Sequence, residues 1–169
     1  MGKAVQMPSI VVPARPQAAP GINPGAPALV LDTNVVLDWL VFRHPACTPW
    51  VEQLVAGSVR WLASAAMRAE LAHVLARGVG RDRTPDLSAL WATWDRLAVP
   101  VEAVAPAGAA SRIRCSDADD QKFIDLAFGH GARWLLSRDR AVLKLARRAR
   151  ASGLEIVTPE AWAAALSAG

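Results

Sequence analysis

The sequence predicts an α/β domain of three layers, α/β/α, around a central and mainly parallel sheet. Short apolar runs ended by polar turns alternate with stretches whose apolar residues recur at helical spacing. The runs Ala28–Leu31 (ALVL), Arg60–Ala63 (RWLA) and Arg133–Ser137 (RWLLS) read as buried strands. A length of 169 residues, 53% of them hydrophobic, with a mean hydropathy of +0.21, suits one domain with a proper core. Four acids also crowd the segment boundaries between Cys115 and Asp139, where a parallel sheet places its ligands.

Residues 1–27 hold six of the twelve prolines and three glycines, a composition that sustains neither a helix nor a central strand, and they read as a disordered extension. The folded domain is expected over 28–169. Its first strand, Ala28–Leu31, ends in Asp32-Thr33-Asn34 at the start of a helix. Thr48-Pro49 opens the next helix and Gly57 closes it; the same Thr-Pro start recurs at Thr84-Pro85 and Thr158-Pro159. After the strand Arg60–Ala63, Ser64 caps a helix with Met67, Leu71, Val74 and Leu75 on one face. Glu70 borders that stripe, so it either reaches out from the rim or faces a charged partner such as a metal.

Leu87, Leu90, Trp91, Trp94 and Leu97 form a second helical stripe, read as core or as a contact of a homo-oligomer, and Val99–Val104 reads as an extended link. Asp117, Asp119 and Asp120 fall in the first turn of a helix whose wall is Phe123, Ile124, Leu126, Ala127 and Phe128. Gly131 turns the chain into the strand Arg133–Ser137, and Asp139 lies just past its end. A single helix, RAVLKLARRARA, follows, with Arg140, Lys144 and Arg147 along one line and Arg148 beside them. This ridge suits RNA phosphates or a solvated face. Glu155–Val157 is the last strand, and Thr158-Pro159-Glu160 starts the final helix.

The charge and cysteine content narrow the class. Net charge is +4 and the isoelectric point about 9.8, yet Lys3 and Arg15 lie in the extension, which leaves 17 basic against 15 acidic residues beyond it. Binding to an acidic polymer therefore depends on where charge sits. No apolar run approaches the roughly 18 residues of a membrane span, and no apolar stretch precedes Pro8 as in a secretory signal. Cys47 and Cys115 lack metal spacing and read as buried thiols of a reducing compartment, the cytoplasm. His44, His73 and His130 are isolated.

Each boundary acid has an ordinary explanation as a helix cap. Asp32, Asp117 and Asp139 all stand where orphan N–H groups favour a carboxylate. Acids arriving together from distant parts of the chain would instead form a cation site.

With LDTNVVLDWL closing the first strand, Glu70 within a helix, SDADDQKF opening another and LLSRD after the following strand, the chain resembles the PIN-domain nuclease family. Within it, the resemblance is to the toxin components of toxin–antitoxin systems, and it extends from Ala28 to the C-terminus. It implies a PIN-like α/β/α fold and a catalytic, metal-binding quartet at Asp32, Glu70, Asp120 and Asp139. Asn34 and Ser137 match supporting polar positions, and Asp117 an outer ligand. Ser137 replaces a more usual Thr but keeps the hydroxyl, while the proline-rich extension has no counterpart. The family implies hydrolysis of RNA to a 5′-phosphate and a 3′-hydroxyl with Mg²⁺ or Mn²⁺, hard ions that take carboxylate oxygens. It also implies an antitoxin partner. A haloacid-dehalogenase-like phosphatase needs a second Asp where Asn34 stands. The remaining alternative is a non-catalytic nucleic-acid-binding or scaffold module with a vestigial acidic site.

Overall fold

A computed structural model describes residues 23–79 and 84–167. Five strands, β1 (Ala28–Leu31), β2 (Arg60–Ala63), β3 (Ala98–Pro100), β4 (Trp134–Leu136) and β5 (Glu155–Val157), form one sheet in the order β3-β2-β1-β4-β5. Every pairing is parallel. The crossovers carry helices α1 (Thr33–Leu40), α2 (Thr48–Val55), α3 (Ala65–Arg77), α4 (Leu87–Leu97), α5 (Gln121–Gly129), α6 (Arg140–Leu143) and α7 (Ala146–Arg150), and α8 (Pro159–Ser167) ends the chain. The result is the expected α/β/α arrangement. No helix among the described residues is long and apolar enough to cross a membrane.

The core follows from the strands being apolar on both sides. All four residues of β1 are buried, and Leu29, Val30 and Leu31 have no exposed surface. On β2, Trp61 is fully buried between Trp94 of α4, 4.6 Å away between ring centroids, and Trp39 of α1 at 5.8 Å; Trp39 in turn meets Trp50 of α2 at 5.0 Å. All three contacts are edge-on, the arrangement that ring quadrupoles favour. The Trp91–Trp94 stripe is thus partly core, with Trp94 buried and Trp91 half-buried. α5 lays Phe123, Ile124, Leu126 and Ala127 against β1 and β4. At its end Gly129 lies so close to the chain at Val104 that a Cβ would stand 2.3 Å from the Val104 carbonyl oxygen.

Several local expectations need correction. The extended link at Val99–Val104 begins as a true edge strand, with Val99 opposite Leu62 and Pro100 opposite Ala63; three residues are too few to show a period. The single helix after Asp139 breaks between α6 and α7. Leu145 N–H bonds to Val142 O at 3.0 Å, tightening one turn to 3-10 geometry as Val142, Leu145 and Ala149 all bury themselves. Of the three Thr-Pro starts, only Thr158 caps, accepting from Ala161 N–H at 3.2 Å. Thr48 is already helical, following a 3-10 turn at Pro45–Cys47, and at α4 the cap is Asp86, which accepts from Ala89 N–H at 3.0 Å. Asp117, Asp119 and Asp120 lie in the turn before α5 and not within its first turn. Cys47 is buried, but Cys115 is only half-buried.

The proline-rich extension lies outside the described residues up to residue 22. Its end is ordered against the sheet: Ala26 is buried, and its carbonyl accepts from Arg60 Nε at 2.9 Å.

Candidate active site

The sheet order creates the site. From β1 the chain progresses to β2 and β3 on one side, whereas β4 and β5 lie on the other, so the winding reverses between β1 and β4 and a crevice opens beyond their carboxyl ends. Asp32 follows β1 directly, and its N–H bonds to Leu136 O of β4 at 3.0 Å. Ser137, fully buried at the end of β4, donates its hydroxyl to Asp32 Oδ2 at 2.5 Å and accepts from Asp139 N–H at 2.9 Å. One hydroxyl thereby joins the two acids that flank the switch point. Asp32 is 2% exposed, and its Oδ1 accepts from Asn34 N–H at 3.3 Å. Burial pushes the Asp32 carboxyl above its ordinary value, the bonds from Ser137 and Asn34 oppose this, and Glu70 and Asp139 repel the charged form.

Asp120 arrives from the turn before α5, carried in by the helix's apolar wall. Gln121 secures that turn, accepting from Cys115 N–H at 2.7 Å and donating to Ile113 O at 3.2 Å and Asp125 Oδ1 at 2.7 Å. Unlike Asp32 and Asp139, Asp120 makes no capping bond to its own helix. Burial first, then the charges of Asp32, Asp139 and Asp117, push its carboxyl up to about 6. Asp117 is exposed and accepts from Asp119 N–H at 2.9 Å.

Asp139 serves two purposes. Its Oδ1 caps α6 by accepting from Ala141 N–H at 2.6 Å, while its charge is felt at both Asp32 and Asp120. Capping and membership of the acidic site are therefore compatible. Glu70 enters from α3 between the buried Met67 and Leu71 and is half-buried. Its Oε1 accepts from the Thr33 hydroxyl at 2.5 Å, and its Oε2 pairs with the Lys122 ammonium.

The charges of the four predicted acids are coupled through Asp32 and Asp120, with Ser137 bonded to Asp32 and Asn34 contributing its backbone N–H. The donor set is oxygen only and its members repel one another, which suits a hard divalent cation. As placed, no three His, Cys, Asp or Glu side chains among the described residues are arranged to hold an ion together, and Lys122 already engages Glu70. A groove of about 600 Å³ between α1, α2 and α4 lies elsewhere, and none of the four acids lines it.

Sequence reasoning passed over Thr33, named only within Asp32-Thr33-Asn34, and Lys122, given no role within SDADDQKF. It also missed Arg138, which pairs with Asp38 of α1 and with Glu160 of α8 at 2.6 Å. Adjacency to the acids was the available signal for the first two. Arg140, directly after Asp139, is exposed, as are Lys144 and Arg147, whereas Arg148 donates to Arg112 O at 3.1 Å.

A family model described as PIN domain matches residues 28–141, more than half of the chain and all four acids. The chain belongs to the PIN-domain family. This PIN domain is similar in structure to VapBC2 from Rickettsia felis, solved bound to a DNA fragment from their promoter, with a TM-score of 0.52. The match covers 76% of this chain and 96% of that one at 15% identity, so the likeness is one of fold. No curated protein matches the PIN domain described here in sequence.

Proposed function

We propose that this PIN domain is a Mg²⁺- or Mn²⁺-dependent endoribonuclease and the toxin of a toxin–antitoxin pair. The observation that carries the reading is the mutual repulsion of Asp32, Asp120 and Asp139 at the β1–β4 switch point, which helps raise the Asp120 carboxyl to about 6. Such a cluster is costly without a cation and useful with one. A divalent ion held there supplies Lewis-acid polarisation of a phosphodiester and a more acidic water.

Each side chain contributes in a different way. Ser137 and the Asn34 N–H fix the Asp32 carboxylate in one orientation from a buried position. Asp139 is held through Oδ1 by its own cap, which leaves its second oxygen available to a ligand. Asp120 has no capping bond, and with its carboxyl near 6 it is largely ionised at neutral pH. Arg140, Lys144 and Arg147 offer exposed positive charge for the RNA backbone, and the charge of exposed Asp117 is felt at Asp120. VapBC2 motivates the antitoxin partner. The groove between α1, α2 and α4, lined in part by the exposed apolar residue Val55, offers a protein a place to sit.

The test is incubation of the full chain with assorted RNAs, with and without a chelator, beside Asp120→Asn. The reading expects cleavage to fragments with 5′-phosphate and 3′-hydroxyl ends that stops with chelator or in the variant. Cleavage indifferent to chelator, or intact RNA at every Mg²⁺ and Mn²⁺ concentration, contradicts it.

A further inference from the structure

Lys122 stands two residues after Asp120, and its ammonium points back among the acids. It pairs with Glu70 Oε2, donates to the Asp119 carbonyl and lies 4.8 Å from the centroid of the Phe123 ring. Three contacts thus hold a side chain that is ordinarily flexible, and the ion pair is about three-quarters buried, at 26% and 29% side-chain exposure. The other oxygen of Glu70 accepts from Thr33. Both Glu70 oxygens are engaged within the protein, so neither is open to an ion as placed.

The charges explain why a lysine belongs there. Four carboxylates converging on one crevice destabilise the metal-free fold, and an ammonium placed among them offsets part of that repulsion. A divalent cation would do the same with twice the charge, and it needs the carboxylate oxygen that Lys122 now occupies. Resting on the metal-site reading, we propose that Lys122 is a built-in counter-cation competing with the divalent ion for the Glu70 carboxylate. The metal-free protein is thereby held folded with Glu70 withdrawn, and the lysine raises the ion concentration at which the site assembles. Lys122 is a positioning residue on this account, acting through Glu70.

Calorimetric titration of the full-length protein with Mn²⁺ tests this without any substrate. Lys122→Met, which keeps the apolar stem over Phe123, should bind Mn²⁺ about fivefold tighter, the scale of one partly exposed ion pair. In a Glu70→Gln background the same change should alter affinity far less, because the contested carboxylate is gone. Without metal, Lys122→Met should melt below the wild type, and saturating Mn²⁺ should close the gap. Lys122→Gln provides a second variant of the same expected sign. Equal or weaker Mn²⁺ binding by both variants, with the wild type binding normally, overturns the competition but leaves the metal site standing. A gain of equal size with and without Glu70 also overturns it, since general electrostatics would then suffice. Absence of Mn²⁺ binding in every protein removes the metal site itself, and the competition with it.

Discussion

The Asp120 carboxyl titrates near 6 because burial and three neighbouring acids disfavour its charge, whereas in an unfolded chain it returns to about 3.8. The folded state therefore binds the proton more tightly. The stability this confers is full below pH 4 and is lost as pH rises through 6. In metal-free protein, Asp120→Asn should melt at or above the wild type at pH 7, with the advantage gone by pH 4. Thermal melts in chelator across that range read this directly, and a wild type that gains on the variant as pH rises would contradict the sign. Mn²⁺ affinity should likewise weaken as pH falls below 6, because protons compete for the same oxygens. At this scale the sequence was legible for the acids and not for what holds them. Asp32, Asp120 and Asp139 stood out at segment boundaries and Glu70 at the edge of an apolar stripe, with the family resemblance linking the four, but the Thr33 hydroxyl reaches Glu70 and the Ser137 hydroxyl reaches Asp32 only across the folded sheet.

The elements explain which local signals were reliable. β1, β2 and β5 were legible because their apolar runs are sharply bounded, and α3 because Ser64 caps it, accepting from Met67 N–H at 3.4 Å. β3 was not, since its three residues follow α4 without an intervening turn and pair only through tertiary placement. The α6–α7 break was hidden for a related reason: helical spacing persists in the sequence, and burial of Leu145 tightens the turn. This matters for the basic ridge, because Lys144 sits on the break and Arg148 leaves the line. Arg140, Lys144 and Arg147 remain exposed, and neutralising all three should weaken binding to unrelated RNAs alike. The slope of log affinity against log salt should fall by about two to three, as expected for that many lost phosphate contacts on a single strand. An unchanged slope would leave the ridge a solvated face.

Across the whole molecule, all-parallel winding with its reversal at β1 and β4 brings together acids separated by up to 107 positions, from Asp32 to Asp139. Alternating strands and helices made that class legible, but strand order was not, because nothing local says that β4 pairs with β1. The folded unit includes Asn23–Pro27: Ala26 is buried and its carbonyl holds Arg60. A chain beginning at Asn23 should melt like the full-length protein, whereas one beginning at Ala28 should lose about 2 kcal/mol, for the two missing hydrogen bonds from Arg60 Nε to Ala26 O and from Arg60 N–H to Pro27 O. A drop of many degrees on removing residues 1–22 alone would show that this segment contributes to the core.

The central claim is that the acids at the switch point hold a catalytic cation, and Asp139→Asn tests it most directly because Asn caps a helix about as well as Asp. The measurement is the rate of RNA cleavage at limiting Mg²⁺, with the metal-free melting temperature as the control for folding. The melting temperature should be unchanged or slightly raised, since repulsion with Asp32 and Asp120 is relieved, while cleavage falls steeply. Full cleavage at limiting Mg²⁺ by a well-folded Asp139→Asn protein would contradict it, leaving Asp139 only the cap of α6.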